Sequence, residues 1–149
     1  MTETNLSRAL CEFVREVTKD LQLQAKGGEL KAPQVFEGEL PPKRSNDKDD
    51  YPFVIVRFED SKSDLGQTNV AMIIAIGCYT QETTGHLDCL QVYERIKRAL
   101  CEMPFQTLDD RYQLGFPIEC KNIPEQPWPY WQLEMTTNWT FNTPQLFDF

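Results

Sequence analysis

The sequence is poor in the residues that catalytic and metal sites most often use. Among its 149 residues it has one histidine and seven glycines, and its five cysteines include no C-x-x-C pair. Structural zinc sites need about four nitrogen or sulfur ligands with closely spaced pairs. No G-x-S-x-G motif, phosphate-binding glycine loop or EF-hand calcium loop occurs. The sequence therefore predicts no catalytic residue, no metal site and no cofactor.

The strongest hint of chemistry is a cysteine close to the only histidine. His86 and Cys89 are three residues apart, so a Cys-His nucleophile pair is conceivable, but Cys89 falls beside the apolar stripe of the predicted helix and no orienting group is obvious. Asp47, Asp49 and Asp64 could be imagined around a hard cation, although solvation at loop edges explains them as well. A small thiol- or metal-dependent enzyme is the remote alternative.

Basic residues are scarce too. The chain has 15 lysines and arginines against 23 aspartates and glutamates, which gives a formal net charge of −8. Nucleic-acid binding and anionic membrane surfaces both depend on clustered basic residues, so this balance argues against either duty. The acidity serves solubility, or an acidic face meets a basic partner. The sequence leaves both explanations open.

Long apolar runs are missing. The longest, Val70–Gly77, is far too short to span a bilayer, which takes about 20 residues. The start, Met1–Asn5, lacks the basic and apolar regions of a signal peptide. The cysteines form an odd set, and three of them lie in patterned helix or strand segments. We expect reduced, buried thiols and hence intracellular synthesis.

Two amphipathic helices are predicted. The first covers Leu6–Ala25, with Thr4 or Asn5 as its cap and Gly27–Gly28 at its end. The second runs from a Thr84 cap to Met103, before Pro104. Its apolar stripe is expected at Leu87, Leu90, Tyr93, Ile96, Leu100 and Met103.

Strand patterns fill most of the rest. Tyr51–Glu59 and Thr68–Tyr79 are rich in β-branched and aromatic residues, and the polar segment Asp60–Gln67 between them favours a long β-hairpin. Tyr130–Phe141 alternates strictly between apolar and polar residues, which is typical of a half-buried antiparallel strand. Shorter candidates are Gln34–Glu39, Tyr112–Phe116 and Ile118–Ile123.

These elements predict one α+β domain over residues 1–149. An antiparallel sheet of four or more strands, including the long hairpin, would have both helices packed on one face. Residues 31–50 are expected to form an extended charged loop, and 142–149 a C-terminal tail.

Protein–protein contact is the predicted use of the surface. Charged loops flank the expected hairpin, and the tail is rich in large apolar residues, so both are contact candidates. The hairpin edge could also pair with a neighbouring subunit by strand addition. Tyr51, Trp128 and Tyr130 fit either an interface or the core. The predicted interface residues are Lys43, Arg44, Asp47, Asp49, Asp50, Asp60, Lys62, Asp64, Leu146, Phe147 and Phe149.

Several short runs carry a resemblance to a known family. They are Leu40–Arg44, Asp49–Arg57, the helix segment Tyr93–Leu100 and the run Pro124–Trp131. With the hydrophobic strand and the element order, they resemble the small tail terminator proteins of long-tailed bacteriophages, also called tail completion or neck proteins. The resemblance covers roughly residues 30–142.

The resemblance implies a virion protein, assembled in the bacterial host cytoplasm, that forms a ring of six copies. Such a ring would cap the tail tube protein, end tube polymerisation and join the head–tail connector or stopper protein. DNA would pass through the ring without specific binding, and no membrane would be involved. Alternatives are another neck, head-closure or baseplate subunit of the same tail, or a non-viral adaptor domain.

Overall fold

Two helices and two sheets make up the described part of the chain. The computed structural model describes residues 2–39, 51–123 and 128–143. In chain order the elements are α1 (Glu3–Thr18), β1 (Leu23–Gln24), β2 (Leu30–Lys31), β3 (Gln34–Glu37), β4 (Phe53–Ser63), β5 (Gln67–Tyr79), α2 (His86–Glu102), a 3₁₀ turn (Pro104–Gln106), β6 (Thr107–Leu108), β7 (Tyr112–Asn122) and β8 (Tyr130–Asn142).

The main sheet has six strands in the order β3-β4-β5-β8-β7-β6. All neighbours are antiparallel except β3, which is parallel to β4 and pairs Gln34 with Phe53. The sheet is therefore mixed, where a wholly antiparallel one was expected. Between β3 and β4 the chain has enough residues to return to the same end of the sheet, as a parallel pair requires.

Both helices lie on one face of this sheet, which confirms the predicted α+β class. A single apolar cluster joins them to the sheet, and its members are buried because the helices and strands each turn an apolar face inward. The central contributors are Leu6, Leu10 and Val14 of α1, Cys89, Val92, Ile96 and Leu100 of α2, and Val54, Val56, Met72, Ile74, Ile76, Leu133 and Met135 of the sheet. Each fully buried aliphatic side chain of this kind contributes about 1.5–3 kcal/mol.

Helix α1 is shorter than predicted. It begins at Glu3, where the Thr2 hydroxyl caps it by accepting from the Asn5 N–H at 3.2 Å, and it ends at Thr18. The prediction that the helix continues to Ala25 is wrong. After the helix ends, Leu21, Leu23 and Ala25 are all buried. A spacing of two residues buries one side of an extended segment, whereas a helix would turn these side chains to different sides.

The glycine pair therefore has a different role from the predicted helix end. Gly27 and Gly28 have φ of 107° and 90°, a backbone conformation that glycine adopts without a steric penalty. They form the turn between β1 and β2, closed by the Ala25 N–H donating to the Glu29 carbonyl at 2.9 Å.

Helix α2 ends before Pro104 as predicted, but its start and its buried side differ. Its N-cap is Gly85, with no side-chain cap, so Thr84 is not the cap. Cys89 and Val92 are buried, while Leu87 is 53% exposed. The buried stripe is thus rotated from the predicted one, because α2 meets the sheet along the side that carries Cys89.

The C-terminal strands are longer and more continuous than the sequence suggested. The two candidates around Phe116 and Ile118 form one strand, β7, with an irregularity in its pairing to β8 between Gly115 and Glu119. Strand β8 confirms the predicted alternation: Leu133, Met135, Thr137, Trp139 and Phe141 are buried.

Candidate protein–protein contact surfaces

Most of the predicted interface residues lie outside the described residues. These are Lys43, Arg44, Asp47, Asp49, Asp50, Leu146, Phe147 and Phe149. The structure places the remaining three, Asp60, Lys62 and Asp64, on or next to β4.

Asp60 and Lys62 belong to a strand, so the predicted loop Asp60–Gln67 is too long. Asp60 pairs with Ala71 and Lys62 with Asn69, after a register shift between Phe58 and Asp60. Pairing continues this far because β5 is itself backed by β8 along its whole length. Both charged side chains are exposed. The strand fixes their backbone, and the side chains can still contact a partner.

Asp64 forms the connection between β4 and β5. Its carboxylate accepts from the backbone N–H groups of Gly66 at 2.9 Å and Gln67 at 2.8 Å, and its own N–H donates to the Gln67 carbonyl at 3.0 Å. The Gly66 and Gln67 N–H groups lower the pKa of the Asp64 carboxyl, since they favour its charged form. Asp64 therefore fixes the turn and keeps a negative charge on it.

This turn presents Leu65 to solvent, a residue that the predicted interface omitted. The Leu65 side chain is 90% exposed, at the centre of a turn that Asp64 holds in shape. A single apolar residue within the polar run Ser61–Gln67 was the available signal in the sequence.

Strand addition was predicted at the edge of the β4–β5 pair, but most of that edge is already paired with other strands. Strand β5 lies inside the sheet, paired on both sides by β4 and β8. Phe53–Val56 of β4 is covered by β3. Only the outer side of Arg57–Ser63 lacks a strand partner among the described residues, and its charges disfavour edge pairing.

The outer side of β3 is blocked by α1. The Arg15 guanidinium donates to the Val35 carbonyl at 3.2 Å, and the Ser7 hydroxyl donates to the Glu37 carboxylate at 3.0 Å. A helix with a charged side chain on an edge carbonyl is one way in which proteins protect a sheet edge.

The other sheet edge is interrupted. Strand β6 covers only Tyr112 and Gln113 of β7. Further along, Pro117 lacks an N–H donor and lies where the pairing with β8 is irregular, and both features discourage strand addition. Phe116 is 60% exposed beside it. Contacts through side chains are therefore better supported than contacts through sheet edges.

Phe105 is the second apolar side chain that the sequence did not mark as an interface residue. It follows α2, is 88% exposed, and has φ of 55°, as its neighbour Gln106 has φ of 51°. A bulky residue in this left-handed region costs roughly 1–2 kcal/mol. The Gln113 side-chain amide donates to the Phe105 carbonyl at 3.1 Å and to the Gln106 carbonyl at 3.3 Å, which holds the strained backbone in place.

The opposite end of the sheet carries a packed aromatic group. The Tyr51 ring lies 4.8 Å from Phe53 and 4.7 Å from Tyr130, whose ring lies 5.5 Å from Tyr79. The Gln132 amide donates to the Tyr51 hydroxyl at 2.9 Å. We call this the aromatic end, and the end with Leu65 and Phe105 the turn end.

Two tryptophans complete the aromatic end. The Trp131 indole N–H donates to the Thr80 carbonyl at 3.1 Å, and the Trp128 indole N–H to the Gln81 carbonyl at 3.2 Å. Trp128 remains 58% exposed. Of the three aromatic residues for which an interface or the core was open, Tyr51 and Tyr130 pack within the chain, while Trp128 presents surface to solvent.

Glycine is required where Trp131 packs. A Cβ atom on Gly85 would lie 2.2 Å from the Trp131 Nε1 and 2.4 Å from the Thr80 Cγ2. Real contacts of this kind are essentially never so short, so Gly85 lets the start of α2 approach the strand end.

Two shallow grooves of comparable size flank the sheet. One, of about 380 Å³, is lined by Glu3, Thr4, Ser7, Glu37 and Phe58. The other, of about 330 Å³, is lined by Glu39, Phe53, Ile55, Arg57, Ala75, Gln132 and Glu134. Neither lining contains a cysteine or a histidine, and the one serine, Ser7, donates to the Glu37 carboxylate at 3.0 Å.

The Cys89 thiol, considered in the sequence as a nucleophile, contacts backbone carbonyl groups. Its Sγ donates to the Trp131 carbonyl at 3.4 Å, and the side chain is fully buried. A hydrogen bond with Cys89, together with burial, raises the pKa of the Cys78 thiol well above its ordinary value. Buried protonated thiols are unreactive. Cys11 is buried as well, but Cys101 and Cys120 are exposed, so the expectation of buried cysteines was wrong for these two.

The described residues contain neither a metal-binding cluster nor a membrane-spanning helix. No three side chains of histidine, cysteine, aspartate or glutamate come close enough to hold a metal ion in residues 2–39, 51–123 and 128–143. Over the same ranges, neither helix has the length and apolar character needed to cross a membrane.

Neither a protein-family model nor a curated protein matches the sequence. The resemblance to phage tail terminators thus stays a prediction from short sequence runs and element order.

Proposed function

We propose that the protein is a structural subunit of a bacteriophage tail, forming a six-membered ring that caps the tail tube and joins it to the head connector. Support comes from the resemblance in sequence and from one feature of the structure. The two opposite ends of one sheet each present a large apolar side chain to solvent, Leu65 and Phe105 at one end and Trp128 at the other.

A subunit between two axial partners needs such an arrangement. A sheet with helices packed on one face is a stiff spacer, because its interior is close-packed and its strands are hydrogen-bonded along their length. Exposed apolar residues at both ends would let the spacer contact the tube on one side and the connector on the other. A head-to-tail contact between copies whose rotation closes would produce a ring rather than a filament.

The negative charge fits a channel for DNA. The chain carries a net charge of −8, and a ring of six copies would multiply it. Like charge in the lumen would prevent phosphates from binding as DNA moves through. This part of the proposal supplies a reason for the acidity beyond solubility.

Tube polymerisation tests the proposal directly. The tube protein encoded in the same genome is polymerised with and without the full chain, and tube lengths are measured by electron microscopy. We expect shorter tubes with a ring at one end. Tubes of unchanged length, together with a chain that stays monomeric in the presence of tubes, would contradict the proposal.

Loss of the gene provides the matching experiment in the phage. Particles made without the protein should have overlong tails that lack heads, and the wild-type gene supplied in trans should restore them. Normal tail length in its absence, with a defect elsewhere in the particle, would point instead to another neck or baseplate subunit.

A further inference from the structure

The turn end displays two large apolar side chains on rigid backbone. Leu65 is 90% and Phe105 88% exposed. The Asp64 carboxylate fixes the first turn through two N–H groups. The second turn is fixed by Gln113 and by the Gln106 amide, which donates to the Cys101 carbonyl at 3.1 Å. Anchor residues in interfaces are typically large, and a rigid anchor loses little conformational entropy on binding.

Both turns belong to the same end of the sheet. Lys62 pairs with Asn69, Asn69 with Thr140 and Thr140 with Gln113, so these residues form one row across four strands. Three spacings of about 4.8 Å put Lys62 and Gln113 about 14 Å apart. Leu65 lies three residues after Lys62, the first residue of the row. The Phe105 carbonyl accepts a hydrogen bond from Gln113, the last residue of the row. One partner can therefore contact both side chains.

The surroundings of the two side chains are acidic. Asp60 and Asp64 lie within five residues of Leu65 along the chain, and Glu102, Asp109 and Asp110 lie within five residues of Phe105. The basic residues in or next to these stretches are Lys62 and Arg111. Five acidic residues against two basic ones leave this end negatively charged.

We propose that the turn end is a docking surface for a different protein, one with an apolar pocket bordered by lysine or arginine residues. Charge complementarity carries the choice of partner, because like charges facing each other across an interface oppose binding. In an end-to-end contact a second copy would bring either the same acidic turns or the aromatic end, where Glu82 follows Thr80 and Asp88 lies in the first turn of α2. The inference rests on the proposed function and deepens it, because it states the chemistry of the partner that one end of the sheet contacts.

Binding measurements on the full chain test this surface. The probes are the tube protein and the connector protein encoded in the same genome, each titrated against wild type, Leu65→Ser and Phe105→Asn. Asparagine adopts the left-handed backbone more readily than most residues, so Phe105→Asn removes the ring and keeps the turn. Leu87→Ser, which alters a 53% exposed leucine near the aromatic end, is the matched control.

We expect each turn-end variant to bind one of the two probes at least tenfold more weakly, with the oligomer mass and circular dichroism of wild type and no effect of Leu87→Ser. Raising the salt concentration from about 0.05 M to about 0.5 M should also weaken wild-type binding to that probe, since salt screens surface charges.

The other outcomes separate the two proposals. If wild type binds a probe and both variants bind it equally well, the docking surface is refuted and the proposed function stands. If the variants lose the wild-type oligomer, the turn end is a contact between copies, and the inference is wrong. If wild type binds neither probe, the proposed function fails and the docking surface fails with it.

Discussion

The two ends of the six-stranded sheet use most of their large side chains in different ways, although Trp128 is 58% exposed at the aromatic end. At the aromatic end, Tyr51, Tyr130 and Trp131 pack on neighbours, and the Tyr51 hydroxyl and the Trp131 indole N–H form hydrogen bonds within the chain. At the turn end, Leu65 and Phe105 contact solvent, and polar side chains are used to fix the turns beneath them. The difference indicates that the packed side chains of the aromatic end stabilise the fold. At the turn end, Leu65 and Phe105 are instead held in solvent, where a partner could contact them.

The largest expected difference between the ends concerns glycine. Gly85→Ala should lower the free energy of unfolding by about 3 kcal/mol, because the new Cβ would overlap Trp131 and Thr80 at 2.2 Å and 2.4 Å. Gly66→Ala, at the turn end, should change it by less than about 0.5 kcal/mol, since the nearest atom lies 3.9 Å away. Urea denaturation of both variants measures this, and equal effects would remove the distinction.

The indole groups give the next prediction. Trp131→Phe should destabilise the protein by about 1–2 kcal/mol, because the Thr80 carbonyl loses its donor in a part-buried position. Trp128→Phe is the matched control: it removes a bond of similar length, to Gln81, in an exposed position, and should cost less than about 0.5 kcal/mol. Thermal unfolding with near-UV circular dichroism reports both. A larger loss of stability for Trp128→Phe than for Trp131→Phe would contradict the expectation that the less exposed hydrogen bond contributes more.

Backbone strain at the turn end predicts a gain of stability. Phe105→Gly should leave the protein as stable as wild type or up to about 1 kcal/mol more stable, since glycine avoids the left-handed penalty and adds flexibility to the unfolded chain. Phe58→Gly, in strand β4 with no positive φ, should instead cost about 1 kcal/mol. If Phe105→Gly were clearly destabilising in urea denaturation, Phe105 would be held by packing.

The smallest effect concerns pH. The folded-state pKa of Asp64 lies below its ordinary value because the Gly66 and Gln67 N–H groups stabilise the carboxylate. Its contribution to stability is therefore present above the unfolded pKa of about 3.9 and is lost as the pH falls through the folded pKa. Asp64→Asn keeps an acceptor oxygen and removes the charge. The melting temperatures of wild type and this variant should differ by a constant amount above about pH 5 and converge below about pH 4. A difference that grows in acid would contradict this assignment.

Local sequence patterns were sufficient where one periodicity dominated a long segment. Strand β8 alternates over its whole length and Pro104 follows α2, so this strand and this helix end were predicted well, although the start and the buried stripe of α2 were not. Local sequence patterns failed where two of them shared a residue. Leu21 fits the helical spacing from Val17, and it also fits the alternation with Leu23 and Ala25. Only packing against the sheet selects the second reading, and Gly27–Gly28 then becomes a turn rather than a helix end.

The contact surfaces were less predictable than the fold. Charge drew attention to Asp64, yet its carboxylate is used by its own turn. Leu65 had one local signal, its place as a single apolar residue in a polar run, whereas the exposure of Phe105 depends on which residues β7 and α2 cover, and no local pattern encodes that.

By itself the sequence determined the α+β class, the two helices, the strongest strands and the acidic balance, because these follow from periodicity and composition. Tertiary structure alone decided that β3 runs parallel to β4, that β5 has no free edge, and which apolar side chains remain in solvent. The physical reason is that strand pairing and burial depend on residues distant in the chain, whereas periodicity is local.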